Sequence, residues 1–313
     1  MLRFLSLTLI ILSFSSNINA SPLSLDAVGQ YEVEEKDFVY AIVDGIELRA
    51  RSYRPIKSGI LPAAVEVHGG AWNFYDRTAG ELYNKALASS GLYVLAVDFR
   101  QGPDHQHPLG SRDASSGVRY LKTHASQLSV DPSNIGLIGS SSGGHLALLA
   151  GLKPNAKMHL GTPIIDSGQK TINADSVDAS VDYIIALWPV SDPEYRYRYA
   201  KEIKRNQLVQ AHDNYFDSVA AMKDASVQRI LSDEIGSDKQ DLPAVLVVQP
   251  GEDGNIPRPM TFSLLTALQN SGIATDYLFY PDMPHAFAHR PSESTDDCIR
   301  AMRDYINRRL ASH

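Results

Sequence analysis

Residues 135–150, Ile-Gly-Leu-Ile-Gly-Ser-Ser-Ser-Gly-Gly-His-Leu-Ala-Leu-Leu-Ala, restrict the fold more than any other stretch of this chain. A short apolar run passes through small residues and continues as an apolar helix former. At its centre Gly139-Ser140-Ser141-Ser142-Gly143 reads G-x-S-x-G. A serine on a sharp strand-to-helix turn has strained backbone angles, and side chains two residues away on either side would collide, so glycine is needed at both places. Such a turn exposes the Ser141 hydroxyl and directs the Ser142 N–H at the start of the helix, while Gly144 allows that helix to pack close to a sheet. The pentapeptide alone also describes a Gly/Ser-rich turn. The flanking strand and helix formers supply the context a nucleophile turn requires, and partner residues must come from elsewhere in the chain.

The remaining sequence alternates strand and helix patterns. Residues 38–50 alternate on both sides of Asp44-Gly45 and predict a β-hairpin with a tight turn. Buried strands are predicted at 62–67, 92–99, 181–187, 244–248 and 275–280. Helices are predicted at 81–90 with Gly91 as the stop, at 111–128, at 260–269 and at 296–310, the last with Ile299, Met302, Ile306 and Leu310 on one face. Short buried strands alternating with helices predict the α/β class, with a mostly parallel central sheet and helices on both faces. Two segments break the alternation. Residues 153–179 are polar and irregular and predict a surface excursion. Residues 191–241 are charged, helix-forming and rich in aromatics (Tyr195, Tyr197, Tyr199, Tyr215, Phe216), and predict a helical cap insertion over a ligand crevice at the carboxyl edge of the sheet.

With 313 residues, 43% hydrophobic and 21% charged, the composition is that of a globular protein. A net charge of -7 argues against nucleic acid or an anionic membrane as the main partner. The N-terminus carries Arg3, an apolar stretch over 4–14 and small polar residues over 15–20. That pattern predicts a signal peptide cleaved after Ala20, a mature domain over 21–313 and a secreted or periplasmic location. The apolar run is too short to span a bilayer comfortably, so no stable membrane anchor is expected. Cys298 is the sole cysteine, which excludes an internal disulfide and leaves no thiol near the cleavage site for a lipid anchor.

Serine nucleophiles need a base, a group that orients the base, and donors for the oxyanion. His68-Gly69-Gly70-Ala71 follows a predicted buried strand, so the N–H groups of Gly70 and Ala71, or of Gly69 and Gly70, are candidates to join that of Ser142. His68 itself reads as a structural loop residue. The candidate base is His285, in a loop just after the last predicted strand; His105 and His107 precede a helix and lack further metal ligands, and His145 lies inside the helix after the turn. The candidate acid is Asp253 in Gly251-Glu-Asp-Gly-Asn-Ile-Pro257, directly after a strand, with Glu252 and then Asp282 as rivals. The resulting chain order Ser, Asp, His is that of α/β-hydrolases and differs from the chymotrypsin and subtilisin orders.

Five segments in this order resemble the esterase/lipase group of α/β-hydrolase fold enzymes that includes hormone-sensitive-lipase-like and bacterial feruloyl- or acetyl-esterase-like members. They are His68-Gly-Gly-Ala-Trp72, Val97-Asp-Phe-Arg100 with Pro103-Asp-His105, Gly139-Ser-Ser-Ser-Gly143, Gly251-Glu-Asp-Gly-Asn-Ile-Pro257 and Pro284-His-Ala-Phe287. The resemblance implies Ser141, Asp253 and His285 as a catalytic triad and gives Asp98 and Arg100 a bracing role. Ala71 departs from a third glycine common in the group, and Ser142 stands where alanine is frequent, which reads as a mild change.

The sequence therefore predicts an exported carboxylic-ester hydrolase acting through an acyl-enzyme on a small-molecule or saccharide-linked ester, with no cofactor and no metal. Trp72 and Trp188 are the substrate-binding candidates, with Phe74 and Tyr75 adding to an apolar wall. An amide-cleaving relative, a peptidase or arylformamidase, would use the same residues. A noncatalytic binding protein on the same fold would be expected to lack one of the three.

Overall fold

A computed structural model describes residues 23–235 and 242–312. The signal peptide expected at 1–20, its cleavage junction and the last part of the expected cap insertion lie outside those residues.

In chain order the described elements are β1 (Val33–Val43), β2 (Ile46–Pro55), β3 (Leu61–Val67), α1 (Glu81–Ser89), β4 (Tyr93–Val97), α2 (Leu109–Thr123), α3 (Ala125–Leu128), β5 (Val130–Ser140) and α4 (Ser142–Leu152). They continue with β6 (Ile164–Ile165), β7 (Thr171–Ile172), β8 (Tyr183–Leu187), α5 (Pro193–Glu202), α6 (Asn206–Tyr215), α7 (Val219–Asp224), α8 (Val227–Arg229), β9 (Ala244–Glu252), α9 (Arg258–Asn270), β10 (Thr275–Pro284) and α10 (Glu293–Leu310). Among the described residues they form one ten-stranded sheet in the order β10-β9-β8-β5-β3-β4-β2-β1-β6-β7. The six strands from β10 to β4 run parallel, and the rest add antiparallel to that edge.

Burial on both faces explains the near-continuous apolar runs in the parallel strands: every residue of β3, β4 and β8 is buried. The β1–β2 hairpin turns through Asp44 and Gly45, both at positive φ (51° and 81°), the geometry that matches the twist of a two-residue hairpin. Helix α4 is buried along its whole length, which accounts for an apolar sequence with no polar face.

The register levels the carboxyl ends of the parallel strands. Val67 of β3 lies beside Gly139 of β5, Ser140 of β5 beside Leu187 of β8, and Leu187 beside Val248 of β9. The loops after β3, β5, β8, β9 and β10 consequently gather at one edge.

One expectation needs correction. The helix predicted over 111–128 is two helices, because His124 leaves helical angles and its ring Nδ1 bonds the Tyr120 carbonyl 2.9 Å away. Residues 153–179 form the irregular surface excursion expected, most positions exposed or half-buried, and the segment is tied to the body of the fold. Ile164 pairs with Ala41 and extends the sheet, and the buried Arg119 guanidinium donates to the carbonyls of Pro154, His159 and Val177. Arg100 donates to Asp113 through two nitrogens and to Thr162, tying the same segment down from inside. Cohesion through side chain-to-carbonyl bonds leaves no hydrophobic period in a sequence.

Candidate active site

Ser141 occupies the turn between β5 and α4 at φ 53° and ψ −116°, a conformation unfavourable for a residue with a Cβ. Three backbone bonds hold it there. Its N–H donates to Leu187 O (2.8 Å), and its carbonyl accepts from Val190 (3.0 Å) and His145 (3.2 Å). A Cβ at Gly143 would overlap the carbonyls of Val67 and His68, and one at Gly139 would overlap the backbone of Gly143, so both outer glycines of the motif are enforced by close backbone approach.

The three residues singled out as nucleophile, base and acid come together. His285 Nε2 lies 3.1 Å from Ser141 Oγ, and His285 Nδ1 lies 2.8 Å from Asp253 Oδ2. The carboxylate is a pure acceptor, so Nδ1 carries the proton and Nε2 presents its lone pair to the serine hydroxyl. The second oxygen of Asp253 accepts the N–H groups of Asn255 (2.8 Å) and Ile256 (3.0 Å), which fixes the carboxylate in its loop. Burial grades across the set: 1% of the Asp253 side chain is exposed, 7% of Ser141 and 18% of the His285 side chain. The rival carboxylates Glu252 and Asp282 are exposed, and neither holds the imidazole.

Beside Ser141 runs the loop after β3. Gly70, Ala71 and Trp72 are all at positive φ (109°, 49° and 62°), a conformation that costs the two non-glycine residues. A Cβ at Gly69 would sit 3.3 Å from the Ser141 Cβ, so this loop touches the nucleophile turn. The Trp72 N–H donates to Ser142 Oγ at 3.0 Å and is thereby committed; the amides of Gly69, Gly70, Ala71 and Ser142 remain the candidate oxyanion donors. Ser142, which reads as a mild change in sequence, thus latches the loop to the nucleophile turn.

His68 stacks on Phe99 with ring centroids 4.5 Å apart, and burial pushes its imidazole down to about 4, so it stays neutral within the loop. Burial likewise holds His107 at about 4 and His145 at about 3. Asp98 accepts the Arg77 amide and guanidinium, bracing the loop that follows the Gly69-Gly70 segment.

The substrate-binding assignment of Trp72 and Trp188 needs correction. Both indoles are fully buried. Trp72 is stacked on Tyr215 (5.4 Å, 3° between planes) and edged by His145, His212 and Phe216, so it anchors helices α5 and α6 onto the loop. Trp188 packs behind the catalytic imidazole candidate, 6.1 Å from His285 and 5.3 Å from Phe287. The aromatic surface that does face solvent near the loop is Phe74 and Tyr75, 59% and 73% exposed.

A parallel sheet with a serine turn after β5, a carboxylate after β9 and a histidine after β10 defines the chain as an α/β-hydrolase. Solved structures agree on the fold: the hyperthermophilic esterase of the archaeon Pyrobaculum calidifontis superposes with TM-score 0.69 at 19% identity, covering 89% of this chain and 85% of that one. EstE1, a thermostable carboxylesterase cloned from a metagenomic library, superposes with TM-score 0.71 at 23% identity, covering 91% and 92%. The chain belongs to the BD-FAE family, whose model matches residues 53–268. It is similar to Esterase LipC of Mycobacterium tuberculosis, 25% identical over 79% of this chain and 58% of the relative. It is also similar to the isoprenylcysteine alpha-carbonyl methylesterase ICME of Arabidopsis thaliana, 24% identical over 72% of this chain and 51% of that protein. The chain therefore spans somewhat more than half the length of these curated relatives.

Proposed function

We propose that this protein hydrolyses carboxylic esters through a covalent acyl-enzyme on Ser141. The observation that carries the reading is the hydrogen-bonded chain from Ser141 Oγ through His285 to Asp253, set at the carboxyl edge of the sheet. Ser141 Oγ attacks the ester carbonyl as its proton passes to His285 Nε2. Asp253 stabilises the imidazolium formed and keeps its tautomer fixed. The carbonyl oxygen becomes an oxyanion, which the N–H of Ser142 and those of the Gly69–Ala71 loop receive. Collapse of the tetrahedral intermediate expels the alcohol, which takes the proton from His285. Water, deprotonated by the same imidazole, then attacks the acyl-Ser141 ester and releases the acid. The names of the relatives, esterase and methylesterase, support the ester reading. The substrate is a small-molecule or saccharide-linked ester.

The test is a panel of neutral 4-nitrophenyl esters beside matched anilides, with purified protein and its Ser141→Ala variant. Ester turnover that falls by about 10³-fold or more in the variant is expected. Anilide cleavage without ester cleavage would move the protein to the amidases. Export belongs to the same proposal and rests on the basic, apolar and small-residue pattern of residues 1–20. N-terminal sequencing of protein from its native source should begin at or near Ser21; Met1 on active protein would contradict it.

A further inference from the structure

Four arginines among the described residues are buried: Arg100, Arg119, Arg196 and Arg303. Three meet a carboxylate or backbone carbonyls, although the Arg303 Nε is, like Arg196 Nη2, without a partner. Arg100 is paired with Asp113, Arg119 donates to three backbone carbonyls, and Arg303 donates to the carbonyls of Asp26 and Ala27. Arg196 differs. It is 1% exposed, and neither a carboxylate nor a backbone carbonyl meets its guanidinium. Its Nε donates to His212 Nε2 at 3.3 Å, its guanidinium carbon lies 5.0 Å from the Trp72 ring centroid, and its Nη2 has no partner. The histidine contact is to a neutral ring, since His212 Nδ1 donates to the Leu208 carbonyl (2.7 Å) and leaves Nε2 as acceptor. Burial and the neighbouring cation push that imidazole down to about 2.

The place of this cation matters as much as its isolation. Arg196 stands one turn into α5, which follows the Val190 amide that donates to Ser141 O. The indole it covers belongs to Trp72, whose own amide latches the oxyanion loop to Ser142. Trp72 Nε1 is a second buried donor without a partner on that same indole. Asp253 is the negative charge that bears on Arg196, and both Asp253 oxygens are already taken by His285 and two backbone amides. Ser141, which must meet the substrate, is itself only 7% exposed. Burying a charge without a counter-charge is costly, so an anion that reached this guanidinium would supply the pairing it lacks.

We propose that Arg196 recognises a carboxylate carried by the ester substrate, so that this esterase prefers acidic esters. The inference rests on the ester-hydrolase reading above and names the substrate class for that site. A planar guanidinium suits a carboxylate, and the bond is charge-assisted. The carboxylate can sit on the acyl or on the alcohol side of the ester, and the two are separated by choice of substrate.

The experiment measures kcat and KM for two matched pairs. Monoethyl adipate against ethyl hexanoate places the charge on the acyl side; 4-acetoxybenzoate against 4-acetoxybenzamide places it on the alcohol side. In one pair the wild-type protein should favour the charged ester in kcat/KM. Arg196→Met should lower that charged-to-neutral ratio by about 10- to 100-fold, mostly through KM, the loss expected for one charge-assisted bond. Arg196→Lys should retain part of the ratio. A merely structural arginine would lower both esters of a pair alike and would lower Tm on replacement; removal of an unpaired buried charge should leave Tm unchanged or raised. Should the Met variant not fold, inhibition of the wild-type protein decides the matter: adipate or 4-hydroxybenzoate should compete with a neutral ester at least tenfold better than the corresponding amide. Equal handling of charged and neutral esters in both pairs, or a preference that survives Arg196→Met, overturns the proposal. In those cases turnover of the neutral esters still supports the hydrolase reading. Absence of turnover for every ester removes that reading and this inference with it.

Discussion

Replacing Ser142 by Ala removes a single oxygen atom, the acceptor that holds the loop after β3 against the nucleophile turn. The bond lost is that from the Trp72 N–H to Ser142 Oγ at 3.0 Å, between two residues with no exposed surface. A buried N–H left without an acceptor costs about 1–3 kcal/mol. The loop has no intrinsic preference to stay in place, because Ala71 and Trp72 are both left-handed, at about 1–2 kcal/mol each. Loss of the latch should therefore let the Gly70 and Ala71 amides drift, while the Ser142 amide, fixed at the start of α4, stays. Complete loss of an oxyanion donor costs about 10²–10³ in kcat. Partial displacement of the loop donors should cost about 10- to 10²-fold in kcat, with KM changed by no more than about threefold. The assay is initial-rate turnover of a neutral 4-nitrophenyl ester, run beside urea unfolding of the same preparation. The unfolding free energy should drop by about 1–3 kcal/mol. A variant that loses this stability yet keeps kcat within about twofold would refute the link between loop position and catalysis. One that loses neither would refute the hydrogen bond itself.

Two further outcomes are expected. Asp253→Asn should lower kcat by roughly 10²- to 10⁴-fold, because an amide facing His285 Nδ1 favours the wrong tautomer, whereas exposed Glu252→Gln should stay within about tenfold of the parent; the reverse ranking in two equally folded variants would move the acid to Glu252. Glu66, in the middle of the sheet with Tyr83 and Asn84 donating to it, has its carboxyl pushed up from 4.5 to about 7 by burial. The folded state then holds a proton that the unfolded state releases, so stability should fall by about 3 kcal/mol as pH rises from about 4.5 to 7 and level off above. Glu66→Gln should flatten that slope in urea titrations at pH 5 and pH 8, and an unchanged slope would count against it.

What was legible in the sequence followed from local rules. The Asp44-Gly45 hairpin, the buried strands and the nucleophile turn each carry their cause within a few residues, and the level strand ends then bring Ser141, Asp253 and His285 to one edge. What was not legible depends on which neighbour a side chain meets. Trp72 and Trp188 in a loop read the same whether they wall a cleft or anchor a cap, and here they anchor. Arg196 lies among Tyr195, Tyr197 and Tyr199 in a helix whose charges suggest a solvated face, yet its side chain is buried against Trp72 and His212. The latch from Ser142 joins residues 70 positions apart, and no spacing rule connects them. Residues 153–179 hide their attachment because backbone carbonyls, which every sequence has, are what Arg119 binds.

Ser141 as the covalent nucleophile is tested by a fluorophosphonate, which phosphonylates an activated serine. Wild-type protein, the Ser141→Ala variant and heat-unfolded wild-type protein are treated alike, digested and read by mass spectrometry. The phosphonyl group should be found on Ser141 of the folded wild-type protein, in a peptide that also contains Ser140 and Ser142, with fragmentation assigning the middle serine. Neither control should be labelled. Label on Ser140 or Ser142, or label that persists in Ser141→Ala, would rule Ser141 out as the nucleophile.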